Sequence, residues 1–209
     1  ENKDSIKMHG LTPTKYLDSL GVLGPETLSA HSLWVDDEDI RIFAERGVKA
    51  IHNINSNLKI ASGYRFRYKE LKEAGVVVSL GTDGCASSNN LDMLETIKTT
   101  ALVQKAWRED PTIMPLDELL SLETENGGKS LGLPIGVIKE GYLADFSLID
   151  TESVAFTPNI NFMANLIYSA NSSCVDTVIC DGKVLMENRM VEGEQEIIQM
   201  VNKLYKQLL

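Results

Sequence analysis

Two side chains able to do chemistry stand at the ends of apolar runs. Asp83 closes the stretch VVVSLGT at residues 76–82 and opens a small polar turn, GCASSNN. A carboxylate at the edge of a core is costly unless something binds it. Asp83 therefore reads either as a turn or cap residue or as a metal ligand or general base. His31 closes the short run TLSA at 27–30. It reads either as a satisfied structural histidine or as a group that hydrogen-bonds and orients a reactive water. His52, followed by Asn53 at the end of residues 48–51, reads as architectural, and His9 as a helix-surface residue without a role. Cys85 has no evident His–Asn partner to make it a nucleophile. Ser87 and Ser88 lie in no nucleophile-elbow pattern. The chain has no HxH, HExxH or CxxC spacing, so Asp83 and the histidines make no zinc site by spacing alone.

These residues need elements to hold them. Residues 4–20 carry a helical pattern that Pro13 splits in two. Strands are expected at 27–31, 48–53 and 76–83, each apolar without alternation, as in parallel strands buried on both faces. Between them lie a helix from Asp36 or Asp37 to about Glu45, ended by Gly47, a polar loop INSNLKIASG, and a helix from Tyr68 to Ala74. The acidic run Asp36-Asp37-Glu38-Asp39 suits the positive end of a helix dipole. Helices are expected over 90–107 and 115–131. After about residue 135 the pattern turns to short antiparallel strands, with Asp181-Gly182 in CDGK as a hairpin turn. Residues 194–209 form an amphipathic helix. The strand ends at His31, His52-Asn53 and Asp83 collect on one face, where α/β folds place their ligands.

Composition excludes some partners. The chain has 209 residues, is 43% hydrophobic and carries a net charge of -10. That argues for a soluble domain with a real core and against nucleic acid or an anionic membrane surface. No apolar run is long enough to span a bilayer. Three cysteines in no framework fit reduced thiols in the cytoplasm.

In combination, LSAHSLWVDDEDI, HNINSNLKIASG, EAGVVVSLGTDGCASSNNLDM and LGLPIGVIKEGYLADFSLID, in this order, are far more specific than any one alone. The chain resembles the metal-dependent amidohydrolase superfamily over residues 10–190. Within it, it resembles the branch of 5-methylthioadenosine/S-adenosylhomocysteine deaminases and chlorohydrolase-like proteins. The GTDGCASSNN turn points to the adenosine-type deaminases rather than the guanine type. Ser32 stands where a Cys is frequent, Ile54 where a Pro is frequent, and YRFRY at 64–68 replaces a plainer segment near the substrate mouth.

The resemblance implies an α/β fold: the C-terminal portion of a (β/α)8 (TIM-type) barrel, a small β-sandwich domain and a C-terminal helix. Residues 1–135 would hold barrel strands six to eight, 136–192 part of the sandwich, and 193–209 the helix. It implies that Asp83 is a catalytic residue that binds the metal and accepts a proton from the hydrolytic water. It implies that His31 is a catalytic residue beside that water, and that Ser87 touches substrate. The cofactor implied is one Zn2+ per complete site, with Fe2+ or Mn2+ as alternatives. The activity implied is hydrolytic deamination of an adenosine-type substrate, 5-methylthioadenosine, S-adenosylhomocysteine or a related purine nucleoside or heterocycle. The family's HxH, its strand-five His and the Glu after it have no counterpart here, and Glu1 aligns too late to be that acid. The expectation is a chain that needs the N-terminal half of the barrel, associates through its apolar edges as a homo-oligomer and is inactive alone. The alternatives are a stand-alone non-catalytic module, or a dechlorinating or guanine-type amidohydrolase.

Overall fold

The computed structural model describes residues 2–208; Glu1 and residue 209 lie outside the described residues. The chain opens with α1 (Asn2–His9) and α2 (Pro13–Ser19), the latter capped by Thr12 with Pro13 at its first position. Strand β1 (Leu28–Ala30) leads to α3 (Asp37–Arg46). Asp36 caps α3 reciprocally with Asp39, and Gly47, at φ 71°, ends it. Strand β2 (Lys49–His52) is followed by α4 (Ile54–Lys59), α5 (Tyr68–Glu73) and β3 (Val78–Leu80). The polar loop expected over 54–63 is thus a helix in its first half. Its first turn closes when Asn57 N–H donates to Asn53 O at 3.0 Å, with Ile54 fully buried beneath it.

The three strands pair in parallel in the order β1-β2-β3. Ala30 lies opposite Ile51, and His52 opposite Leu80, so the three C-terminal strand ends stand side by side. Ala50, Val78 and Leu80 are buried in one hydrophobic cluster with Phe43, Leu71 and Ile97. A short α6 (Cys85–Ser88) precedes α7 (Met93–Arg108), whose cap is Asp92. The helix expected over 115–131 is two, α8 (Leu116–Glu123) and α9 (Glu125–Leu131), broken at Thr124. At this break Gly136 runs so close to the Thr124 carbonyl that a Cβ there would sit 2.2 Å from the oxygen. From α9, Asn126 Nδ2 donates to Val78 O at 2.9 Å, covering the free edge of β3.

The rest is built on a second, antiparallel sheet of β4 (Phe146–Ile149), β5 (Val175–Cys180) and β6 (Lys183–Met186) in the order β4-β5-β6. Asp181 and Gly182, both at positive φ, make the β5–β6 turn as expected from CDGK. Helix α10 (Phe162–Tyr168) lies between β4 and β5, in a stretch for which the sequence pattern suggested no element of its own. Asn161 caps it by accepting from Ala164 N–H at 2.9 Å, and Leu166 and Ile167 are buried. Helix α11 (Glu194–Leu208) closes the chain with Ile197, Val201 and Leu204 exposed. No helix among the described residues is long and apolar enough to cross a membrane.

Candidate active site

The C-terminal ends of β1 and β3 place His31 and Asp83 face to face. Each leaves its strand in the left-handed region, His31 at φ 66° and Asp83 at φ 62°. Such backbone costs on the order of 1–3 kcal/mol per non-glycine residue and persists where the surroundings impose it. Here they do. His31 N–H donates to Ile51 O at 2.8 Å, and Ser32 N–H donates to Ala30 O at 2.9 Å. Asn53, at the end of β2 between them, spans the gap. With its amide oriented to satisfy both ends, it donates to Ile51 O at 3.0 Å and accepts from Asp83 N–H at 3.2 Å.

Both side chains are then gripped by α4. Ser56 Oγ donates to Asp83 Oδ2 at 2.8 Å. His31 Nδ1 meets Asn57 Oδ1 at 2.7 Å. Ser56 and Asn57 are themselves fully buried. Gly84 N–H donates to Asp83 Oδ1 at 2.8 Å. The free ring nitrogen of His31, Nε2, lies 3.8 Å from Asp83 Oδ2, with both side chains about a third open to solvent. That separation is too long for a direct hydrogen bond. The Ser56 hydroxyl, then the Gly84 N–H and the nearby Ser87 hydroxyl, hold the Asp83 carboxyl below its usual range. It is therefore an anion at neutral pH, an acceptor for protons or cations.

Ser87 sits in the turn after Asp83, with its hydroxyl donating to Gly84 O at 3.1 Å. His52 is completely buried, stacked on Phe66 with ring centroids 4.2 Å apart. Burial, with the charge of His31 adding to it, pushes His52 down to about 3, so it stays neutral and structural. His9 stacks on Tyr16 on the surface, and Cys85 is an exposed free thiol. Ser56 and Asn57 were not expected. The signal available was two small polar residues four and five positions after His52, in a segment reading as loop.

The site's donor set gives a partial fit to a metal. Asp83 is an ionised carboxylate facing open space beside an imidazole, a suitable ligand for a divalent ion. Among the described residues no group of three or more His, Cys, Asp or Glu converges as a metal cage. One carboxylate does not fill a four-coordinate site. Beside the strand ends, Leu33, Trp34, Gly63, Tyr64 and Arg65 line a cleft of about 230 Å³.

The signature of the amidohydrolase family matches residues 1–185. The chain is 48% identical over 198 residues to a 5'-deoxyadenosine deaminase of Methanospirillum hungatei, covering 95% of this chain and 44% of that protein. It is 43% identical over 200 residues to 5-methylthioadenosine/S-adenosylhomocysteine deaminase 1 of Archaeoglobus fulgidus, covering 96% of this chain and 47% of that one. An adenosine deaminase from Xanthomonas campestris, solved with bound zinc, superposes with a TM-score of 0.90 at 33% identity, over 97% of this chain and 46% of its own. An atrazine chlorohydrolase from Arthrobacter aurescens TC1, complexed with zinc, superposes at 0.88 with 27% identity, over 97% of this chain and 46% of its own. The chain thus spans a little under half the length of the relatives it matches.

Proposed function

Because this chain belongs to the amidohydrolase family, we propose that it is the C-terminal part of a metal-dependent hydrolytic deaminase of adenosine-type nucleosides. The observation that carries the reading is the facing pair His31 and Asp83, 3.8 Å apart beyond the ends of β1 and β3, with β2 between them. The names of the relatives at 43–48% identity supply the substrate class: 5'-deoxyadenosine, 5-methylthioadenosine or S-adenosylhomocysteine. The chlorohydrolase is less similar, at 27%. That favours deamination over dechlorination, although both replace a ring substituent with the oxygen of water.

The proposed architecture follows from the same elements. Residues 1–135 form barrel strands six to eight and their helices, 136–192 part of a small β-sandwich, and 193–209 its terminal helix. Consecutive parallel neighbours β1-β2-β3 suit a barrel wall, since a doubly wound sheet reverses its strand order at a switch point. The single antiparallel sheet β4-β5-β6 would be one layer of the sandwich. Leu28 on the outer strand and Ile197 on the last helix are exposed. They suit contact with the other half of the barrel, or with a second copy of the chain. Cytoplasmic residence would suit the free thiols of Cys85, Cys174 and Cys180.

The proposed reaction adds water to the ring carbon that bears the amino group. A C–O bond forms, the C–N bond breaks, one water proton ends on the ring nitrogen, and the other leaves with ammonia. A divalent metal, for which the zinc-bound relatives favour Zn2+ over Fe2+ or Mn2+, lowers the pKa of water to roughly 7 when bound. Asp83 would be one of its ligands and the acceptor of the water's proton, kept ionised by Ser56 and Gly84. His31 Nε2 faces the same space and would accept a hydrogen bond from the attacking water. Ser87 would touch substrate from the turn beyond. The remaining ligands and the proton-delivering acid would come from outside these residues, so the chain alone is expected to be inactive.

Ammonia release from 5-methylthioadenosine, S-adenosylhomocysteine and 5'-deoxyadenosine tests the reading. The 209-residue chain supplemented with the barrel half it lacks should deaminate at least one, and Asp83→Asn should abolish the activity. A supplemented chain that is inactive on all three, yet binds zinc, would refute the substrate class.

A further inference from the structure

We infer that Asn57 is a positioning residue that fixes the tautomer of His31, holding the proton on Nδ1 and leaving Nε2 as a bare acceptor beside Asp83. A histidine's two ring nitrogens are not equivalent: the hydrogen bond made by one decides which carries the proton. Asn57 Oδ1 lies 2.7 Å from His31 Nδ1, and a carbonyl oxygen can only accept. The ring must therefore donate from Nδ1. Asn57 is fully buried, so water does not compete for that oxygen. Among the described residues, the other group on it is the Ser62 hydroxyl, at 3.3 Å. The Nδ2 end of the amide is buried without a hydrogen-bond partner among the described residues, so the hydrogen bonds found on this amide are those at Oδ1. A solvated histidine ordinarily prefers its proton on Nε2, so the enforced tautomer is the minority form.

The consequence lies on the other side of the ring. Nε2 and Asp83 Oδ2, 3.8 Å apart, become two acceptors converging on one space. They cannot bond to each other. A molecule with two O–H donors can bond to both, since 3.8 Å is less than the reach of two ordinary hydrogen bonds laid end to end. Water has that shape. The neighbouring Ser56 holds Asp83 from the same helical turn at 2.8 Å, so consecutive residues of α4 fix both acceptors. With the opposite tautomer, an N–H would point into this space and direct the lone pair of a water oxygen, rather than its proton, toward the ring. The catalytic meaning rests on the proposed hydrolytic function; the tautomer itself does not.

The test is nitrogen-15 NMR of the 209-residue chain labelled at histidine, recorded about two pH units above the ordinary histidine pKa of roughly 6.5. The His31 signals are assigned by their loss in His31→Gln. Wild-type His31 should be protonated on Nδ1. Asn57→Ala should return it to the Nε2–H form. Asn57→Asp, which keeps an acceptor in place, should retain Nδ1–H. Wild-type His31 found as Nε2–H would mean that the amide is turned with Nδ2 toward the ring, and would overturn the inference whether or not any variant folds. An unchanged tautomer in Asn57→Ala would overturn it too. No metal, substrate or activity enters this readout, so failure of the deaminase reading would leave the tautomer result standing.

Discussion

Glu123→Gln should make the protein more stable in mild alkali and leave it almost unchanged in acid. Glu123 ends α8, with Oε1 shut away from solvent and without a hydrogen-bond partner among the described residues. Burial first, and the Asp92 carboxylate second, push its carboxyl from 4.5 up to about 8. Asp92 is fixed where it stands: it accepts from Glu95 N–H at 3.1 Å as the cap of α7 and from Ser172 N–H at 2.8 Å. Between pH 4.5 and about 8 the folded chain therefore holds a proton on Glu123 that the unfolded chain has lost. Stability falls wherever the folded state binds more protons than the unfolded state and the pH rises. The contribution is complete below the unfolded pKa, is lost through this window, and levels off above the folded pKa. At about 1.4 kcal/mol per pKa unit, the shift sets a ceiling of ~5 kcal/mol. Partial exposure of the residue cuts that to an expected ~2–3 kcal/mol. Glutamine has nearly the same shape and does not titrate. Urea unfolding followed by Trp34 and Trp107 fluorescence, at intervals between about pH 5 and 9, should show the two proteins converging in acid and the variant ahead in alkali. Parallel stability curves would refute the reasoning.

Three further perturbations have definite outcomes. Ser56→Ala removes the largest influence holding Asp83 ionised; in the protein completed with its other half, chelator competition should show zinc affinity lower by about ten- to a hundredfold. Asp36→Ala deletes the cap that accepts from Asp39 N–H at 2.8 Å, and the urea midpoint should report a loss of about 0.5–2 kcal/mol. Ile97→Ala opens a cavity at a fully buried position between α7 and the parallel sheet, and should cost about 2–5 kcal/mol in the same assay, with the far-ultraviolet circular dichroism retained.

The parallel strands were legible because short apolar runs ending in polar residues have few other readings. All three lie inside the expected stretches, and His31 and Asp83 were visible as their terminal residues. Pairing extends over less sequence than the apolar pattern suggests. Strand β3 is only Val78–Leu80, because the backbone must bend to bring Asp83 to φ 62°. Helix α4 was hidden by its composition, since asparagine and serine compete with the helical backbone for hydrogen bonds. Here those side chains are spent on His31 and Asp83, so the helix serves the site rather than following propensity. The break at Thr124 and helix α10 depend on contacts between segments distant in sequence, which no local pattern encodes. The relation between His31 and Asp83 is also tertiary. Residue types suggested each alone, whereas their approach to 3.8 Å depends on the register of β1, β2 and β3.

The central claim is that Asp83 is one ligand of a metal site completed from outside this chain. Elemental analysis tests it most directly, comparing the purified chain with the same chain bound to its missing barrel half. Essentially no zinc is expected in the chain alone and about one equivalent in the complete protein, as for a single catalytic zinc, with that equivalent lost in Asp83→Asn. Stoichiometric zinc in the isolated chain, or zinc retained by Asp83→Asn in the complete protein, would contradict it.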